Sequence, residues 1–106
     1  MKLLIIIYSN DAETVWNAFR LGLFSLKQGN TVSIFLLGKG VEAETLDNIK
    51  FDVIGQIRNF FESGGSILAC GTCLKIRQTE ALAICPISTL HDLNTLIRDS
   101  DKILSF

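Results

Sequence analysis

The chain has 106 residues, of which 48% are apolar and 20% charged, and a formal net charge of −1 at pH 7. That length suits one domain with a core of its own, and that composition excludes a disordered chain. Lys and Arg are scattered, so nothing marks a nucleic-acid binder, and the longest apolar run, 3–8, is far too short to span a bilayer. The same run is too short for a secretory leader and is followed by Ser9-Asn10-Asp11-Ala12-Glu13, without a small-residue cleavage site, so a cytoplasmic location is expected. Three cysteines, an odd number, speak for reactive or buried thiols and not for a disulfide framework.

Residues 2–8 form a continuous β-rich run, as expected of a strand covered on both faces. Asn10 is placed to cap the following helix, with Glu13 answering it three residues on. Ala12, Val15, Trp16, Phe19, Leu23 and Leu26 recur at helical spacing, and Gly29-Asn30 ends the helix. Ala18, Leu21 and Phe24 lie off that stripe, which makes the helix apolar on two sides. A second strand is expected over 31–37, then Gly38-Lys39-Gly40 and a polar loop over 41–48. A helix over 50–63 stops at Gly64-Gly65, and a third strand covers 66–70. A short helix over 71–78, a fourth strand over 81–85 halted by Pro86, a helix capped by Thr89 with Asp92, and a closing strand over 102–106 complete the single domain, 1–106.

Strands alternating with helices imply a three-layer, flavodoxin-like α/β sandwich around a five-stranded parallel sheet, with 2-1-3-4-5 as the expected order. Ligands in such sheets bind beyond the carboxyl ends of the strands, at the switch point, which that order places between strands 1 and 3. The ends concerned are Ser9-Asn10 and Cys70-Gly71.

Cys70 is therefore the leading site residue. It ends a strand and faces the start of a helix, with Lys75 and Arg77 near enough to favour a thiolate. The plainer reading is a buried cysteine packed as a small hydrophobe. Cys73 completes a Cys-x-x-Cys and could form a disulfide with Cys70, but the flank Leu68-Ala69 and the insert Gly71-Thr72 are unlike the thioredoxin pattern. Cys70, Cys73, Cys85 and His91 make a Cys₃His set with poor zinc spacing, so no metal is expected; Cys85 reads as core and His91 as an exposed first-turn residue. Gly38-Lys39-Gly40 lacks the phosphate-loop spacing, and Ser9-Asn10-Asp11 lacks a flavin-phosphate loop, so no cofactor is expected. Both loops read as walls of a shallow pocket around Cys70. Glu13, Glu42, Glu44 and Asp47 read as a solvated face.

The segment from Gly64 to Arg77, GGSILACGTCLKIR, resembles the DsrE/DsrF-like family, which includes the TusD-type sulfur-relay proteins. The resemblance extends over most of the chain, through the turn Leu37-Gly38-Lys39-Gly40-Val41 and the ending Ser100-Asp101-Lys102-Ile103-Leu104-Ser105-Phe106. It implies a flavodoxin-like fold assembled as a homotrimer or homohexamer, and a single cysteine that takes a persulfide sulfur from a protein donor and passes it to an acceptor. Cys70 matches that cysteine; the glycine that follows it at a fixed distance in the family is Gln78 here, after Arg77, and Cys73 has no counterpart in the relay members. Under this reading Ser9, Asn10, Gly38, Lys39, Gly71, Thr72 and Arg77 contact the sulfur carrier or its cargo, with Cys70 and Cys73 as the chemical pair. The rival expectation is a non-catalytic oligomeric module that binds a small ligand or protein at the same pocket.

Overall fold

The computed structural model describes residues 1–78 and 84–106. Two six-residue runs of branched apolar residues, β1 (Lys2–Ile7) and β2 (Thr31–Leu36), form the middle of a parallel sheet, paired from Lys2 with Thr31 to Ile7 with Leu36. Leu4, Ile5, Ile7, Ile34 and Phe35 have no solvent exposure, as the lack of alternation implies for strands covered on both faces. Between them runs α1 (Ala12–Lys27). Its cap is Asp11 and not Asn10: the Asp11 carboxylate accepts the backbone N–H and the hydroxyl of Thr14, at 3.0 and 2.9 Å. This satisfies free amides of the first turn and leaves Asn10 outside the helix.

After β2 the polar loop expected over 41–48 is largely a 3₁₀ segment, Gly38–Thr45. It leads to α2 (Val53–Glu62), capped by Asp52, and then to β3 (Ser66–Cys70). α1 and α2 pack side by side on one face of the sheet, with Phe19 and Phe60 meeting edge to face at 5.8 Å. Each of these two fully buried rings is worth about 1.5–3 kcal/mol of burial.

A six-residue helix, α3 (Gly71–Ile76), follows β3 directly. The strand expected over 81–85 lies largely outside the described residues; Ile84 and Cys85 are in a turn, and β4 is the two-residue Ile87–Ser88 beyond Pro86. Proline has no N–H to give a ladder, but its carbonyl is free, and Pro86 accepts the Ala69 N–H at 3.0 Å where β4 begins. Thr89 caps α4 (Leu90–Asp99) through the Asp92 N–H, as its spacing predicts, and β5 (Lys102–Ser105) closes the chain.

The result is the expected three-layer architecture: five parallel strands with helices on both faces. The strand order, however, is β4-β3-β2-β1-β5 and not 2-1-3-4-5. β2 adjoins β3, and β5 lies beside β1, paired from Leu3 with Lys102 to Ile6 with Ser105. Burial accounts for these positions: all four residues of β5 are exposed, which suits an edge, whereas β1 and β2 are too apolar to stand anywhere but the centre.

Candidate functional site

With right-handed crossovers, the steps from β1 through β4 run one way and keep α1, α2 and α3 on one face; the return to β5 puts α4 on the other. The switch point is therefore between β3 and β4, where the chain leaves neighbouring strands toward opposite faces, and not between strands 1 and 3. Cys70, the last residue of β3, pairs with Ser88 of β4 at this point.

A cleft of about 740 Å³ opens there, with Cys70, Gly71, Thr72 and Lys75 on one wall and Ile87 and Ser88 on the other. Gly71 makes the closeness of the two walls feasible, because a Cβ on it would come within 2.8 Å of the Ile87 side chain. Cys70 is 3% exposed and is one of the residues that line this cleft.

Cys73, one turn along α3, is half-buried and does not line that cleft. It faces the turn after β2, where the Gly38 N–H donates to its Sγ at 3.2 Å, and it lies in the first turn of the helix that Cys70 caps. Burial pushes the Cys73 thiol above its ordinary value, and the Cys70 thiol pushes the same way. The Gly38 N–H and the Arg77 charge oppose this without overcoming it. At Cys73 desolvation thus outweighs nearby donors and charge. Nor can the helix dipole supply the deficit, because α3 is only six residues long.

Arg77 is committed elsewhere in part. Its Nε donates to Glu42 Oε2 at 2.8 Å, and its Nη1 donates to the Cys73 carbonyl at 3.1 Å. Glu42 is held below the usual carboxylate range by Arg77 first, then by the Asn10 side chain and the charge of Lys39. Asn10, which does not cap α1, thus bears on the Glu42 carboxyl, and Glu42 ties the 3₁₀ segment to α3 through Arg77. Ser9 stays within its own turn, where Oγ accepts the Asp11 N–H at 3.0 Å.

The residues singled out from the sequence therefore fall into two groups on either side of Cys70. Gly71 and Thr72 lie on the cleft; Asn10, Gly38, Lys39, Cys73 and Arg77 gather on the opposite side, and Ser9 belongs to neither. Glu42, which the sequence places on a solvated face, is paired with Arg77 at the centre of the second group. No local signal distinguishes it, because its partner is 35 residues downstream.

Cys85 is buried beside Glu44, and both burial and that carboxylate hold its proton far above the ordinary thiol range. His91 is exposed on the first turn of α4. Among the described residues, no three His, Cys, Asp or Glu side chains are gathered to hold a metal ion. Gln78, which stands where the family resemblance leads one to expect glycine, adopts φ +52°, a left-handed conformation that glycine takes without penalty.

The model of the DsrE/DsrF-like family matches residues 1–106. The chain belongs to that family. An uncharacterized protein of Methanocaldococcus jannaschii is 29% identical over 100 residues, covering 89% of this chain and 88% of its own. An uncharacterized protein of Methanopyrus kandleri is 28% identical over 101 residues, covering 89% and 83%. Among solved structures, the ychN protein of E. coli superposes with a TM-score of 0.84 at 20% identity over the whole of both chains. A conserved protein of unknown function from Bacteroides thetaiotaomicron gives 0.78 at 24% identity, covering 99% of this chain and 94% of its own. These two likenesses confirm the fold. Among the described residues no helix is long and apolar enough to cross a membrane.

Proposed function

We propose that this DsrE-like protein is a sulfur-relay protein that carries a persulfide on Cys70. The observation that supports this most is the position of Cys70: a thiol at the strand switch point, on the wall of a cleft large enough for the end of a donor side chain or a small persulfide. In the forward step the Cys70 thiolate attacks the terminal sulfur of a donor persulfide, R–S–SH. A new S–S bond forms on Cys70, the donor S–S bond breaks, and the donor leaves as R–S⁻. An acceptor thiolate then attacks the same terminal sulfur and restores Cys70.

Incubation with glutathione persulfide followed by intact-mass and peptide mapping tests the reading. One added sulfur on Cys70, absent from Cys70→Ser, is the expected result. No adduct, with an ordinary alkylation rate at Cys70, would overturn it.

The placing of Cys70 and Cys73 together at the start of α3 favours a second reading, a dithiol oxidoreductase without persulfide chemistry. That reading expects a reversible Cys70–Cys73 disulfide under redox buffers and no sulfur adduct. Self-association is part of the proposal under either reading. Leu21 and Phe24 are exposed on α1 and share an apolar groove with Met1, Leu3 and Leu104 of the sheet edge.

A further inference from the structure

Two features of Cys73 have no use in a simple carrier. It stands in the first turn of α3, whose N-cap is Cys70, and the Gly38 N–H holds its sulfur at 3.2 Å, away from the residues that line the cleft. Displacement at sulfur proceeds in line, with the attacking thiolate opposite the leaving sulfur. Cys70 lines the cleft and Cys73 does not, so a persulfide loaded from the cleft has its terminal sulfur on the side away from Cys73. The carbonyl of Cys73 is fixed by Arg77, which is itself fixed by Glu42, so the thiol is kept at that place.

We infer that Cys73 is a resolving thiol that turns the Cys70 persulfide into free sulfide. This rests on persulfide loading of Cys70. The Cys73 thiolate attacks the Cys70 sulfur, a Cys70–Cys73 disulfide forms, the bond to the terminal sulfur breaks, and that sulfur leaves through the cleft as HS⁻. An external dithiol then reduces the protein disulfide and is itself oxidised to a disulfide. The net reaction takes a persulfide and a dithiol to a thiol, sulfide and a disulfide, so the protein is a persulfide reductase whenever no acceptor thiol arrives first. The step is gated by protonation: the Cys73 thiol faces Cys70 from β3, the Gly38 N–H and Arg77, which is itself paired with Glu42 beside Lys39 of the 3₁₀ segment, and its proton must leave before it attacks. Resolution therefore speeds up with rising pH.

The experiment is a single turnover of the full chain with glutathione persulfide, following sulfide with a trapping dye and cysteine states by mass spectrometry. In the unaltered protein one sulfide should appear for each Cys70–Cys73 disulfide, faster at pH 9 than at pH 7. Cys73→Ser and Cys73→Ala should both accumulate the Cys70 persulfide, with sulfide release slowed by about a hundredfold or more, since an oriented intramolecular thiol has a very high effective concentration. An unaltered protein that holds its persulfide as stably as Cys73→Ser would overturn the resolving role and leave the carrier reading standing. Disulfide formed without an equivalent of sulfide would also overturn it. Failure of the Cys73 variants to take up sulfur would remove the carrier reading itself.

Discussion

Arg77 and Glu42, 35 residues apart in the chain, share a 2.8 Å hydrogen bond that fastens α3 to the 3₁₀ segment after β2. Both side chains are partly exposed, so the pair matters less for overall stability than for where it holds Cys73. Glu42→Gln should therefore leave the chain folded but speed alkylation of Cys73 by iodoacetamide, because the Cys73 carbonyl loses a fixed donor. The pH dependence follows from the lowered carboxyl of Glu42. What the pair contributes is present above the ordinary carboxylate value of 4.5 and is lost as pH falls through the lower value in the folded protein. Protection of Cys73 should accordingly persist to pH 5 and fail only below 4.5, seen with a thiol reagent active in acid, such as a pyridyl disulfide.

Gly40 is where the same segment meets the sheet. A Cβ there would fall 1.9 Å from the Ile7 carbonyl oxygen and 2.6 Å from its carbon, and both belong to the backbone of a residue with no solvent exposure in a central strand. Nothing flexible can yield. Gly40→Ala should lose about 3 kcal/mol of stability in urea denaturation, at the upper end of overpacking costs. A loss within experimental error would show that the turn is not packed as described.

Gln78 makes the opposite expectation. A non-glycine residue at φ +52° carries a left-handed penalty of about 1–2 kcal/mol, part of which glycine returns as extra freedom in the unfolded chain. Gln78→Gly should stabilise the protein by about 0.5–1 kcal/mol, read from the urea midpoint at unchanged slope.

Phe24 is 62% exposed at the lip of an apolar groove. If α1 mediates self-association, light scattering should find the unaltered protein as a trimer or hexamer and Phe24→Glu as a smaller species with the same circular dichroism. A monomeric unaltered protein would remove the oligomer from the proposal.

Much of this was legible in the sequence, for identifiable reasons. β1, β2 and β3 announce themselves because strands buried on both faces need unbroken apolar runs, and the Thr89 cap is local chemistry. α1 was harder. Its buried face includes Ala18, Gly22 and Ser25, small residues chosen for close packing and invisible to a count of large apolar ones. β4 is not legible because two residues give no periodicity, and the strand expected over 81–85 lies largely outside the described residues. Strand order was not legible, since which strand becomes the edge depends on contacts such as Leu3 with Lys102 that join the two ends of the chain. At the site, the Cys70 position could be read from the strand end, and it remains at the switch point although the switch point itself moved. The surroundings of Cys73 could not, because Gly38, Glu42 and Asn10 reach it only through folding.

The claim on which the rest depends is that Cys70 accepts sulfur. Mass spectrometry of Cys73→Ser after exposure to glutathione persulfide tests it most directly, because removing Cys73 prevents loss of any persulfide formed. One added sulfur mapped to Cys70, and none in the Cys70→Ser, Cys73→Ser double variant, is the expected result. An unmodified Cys70 that alkylates at an ordinary rate would contradict it.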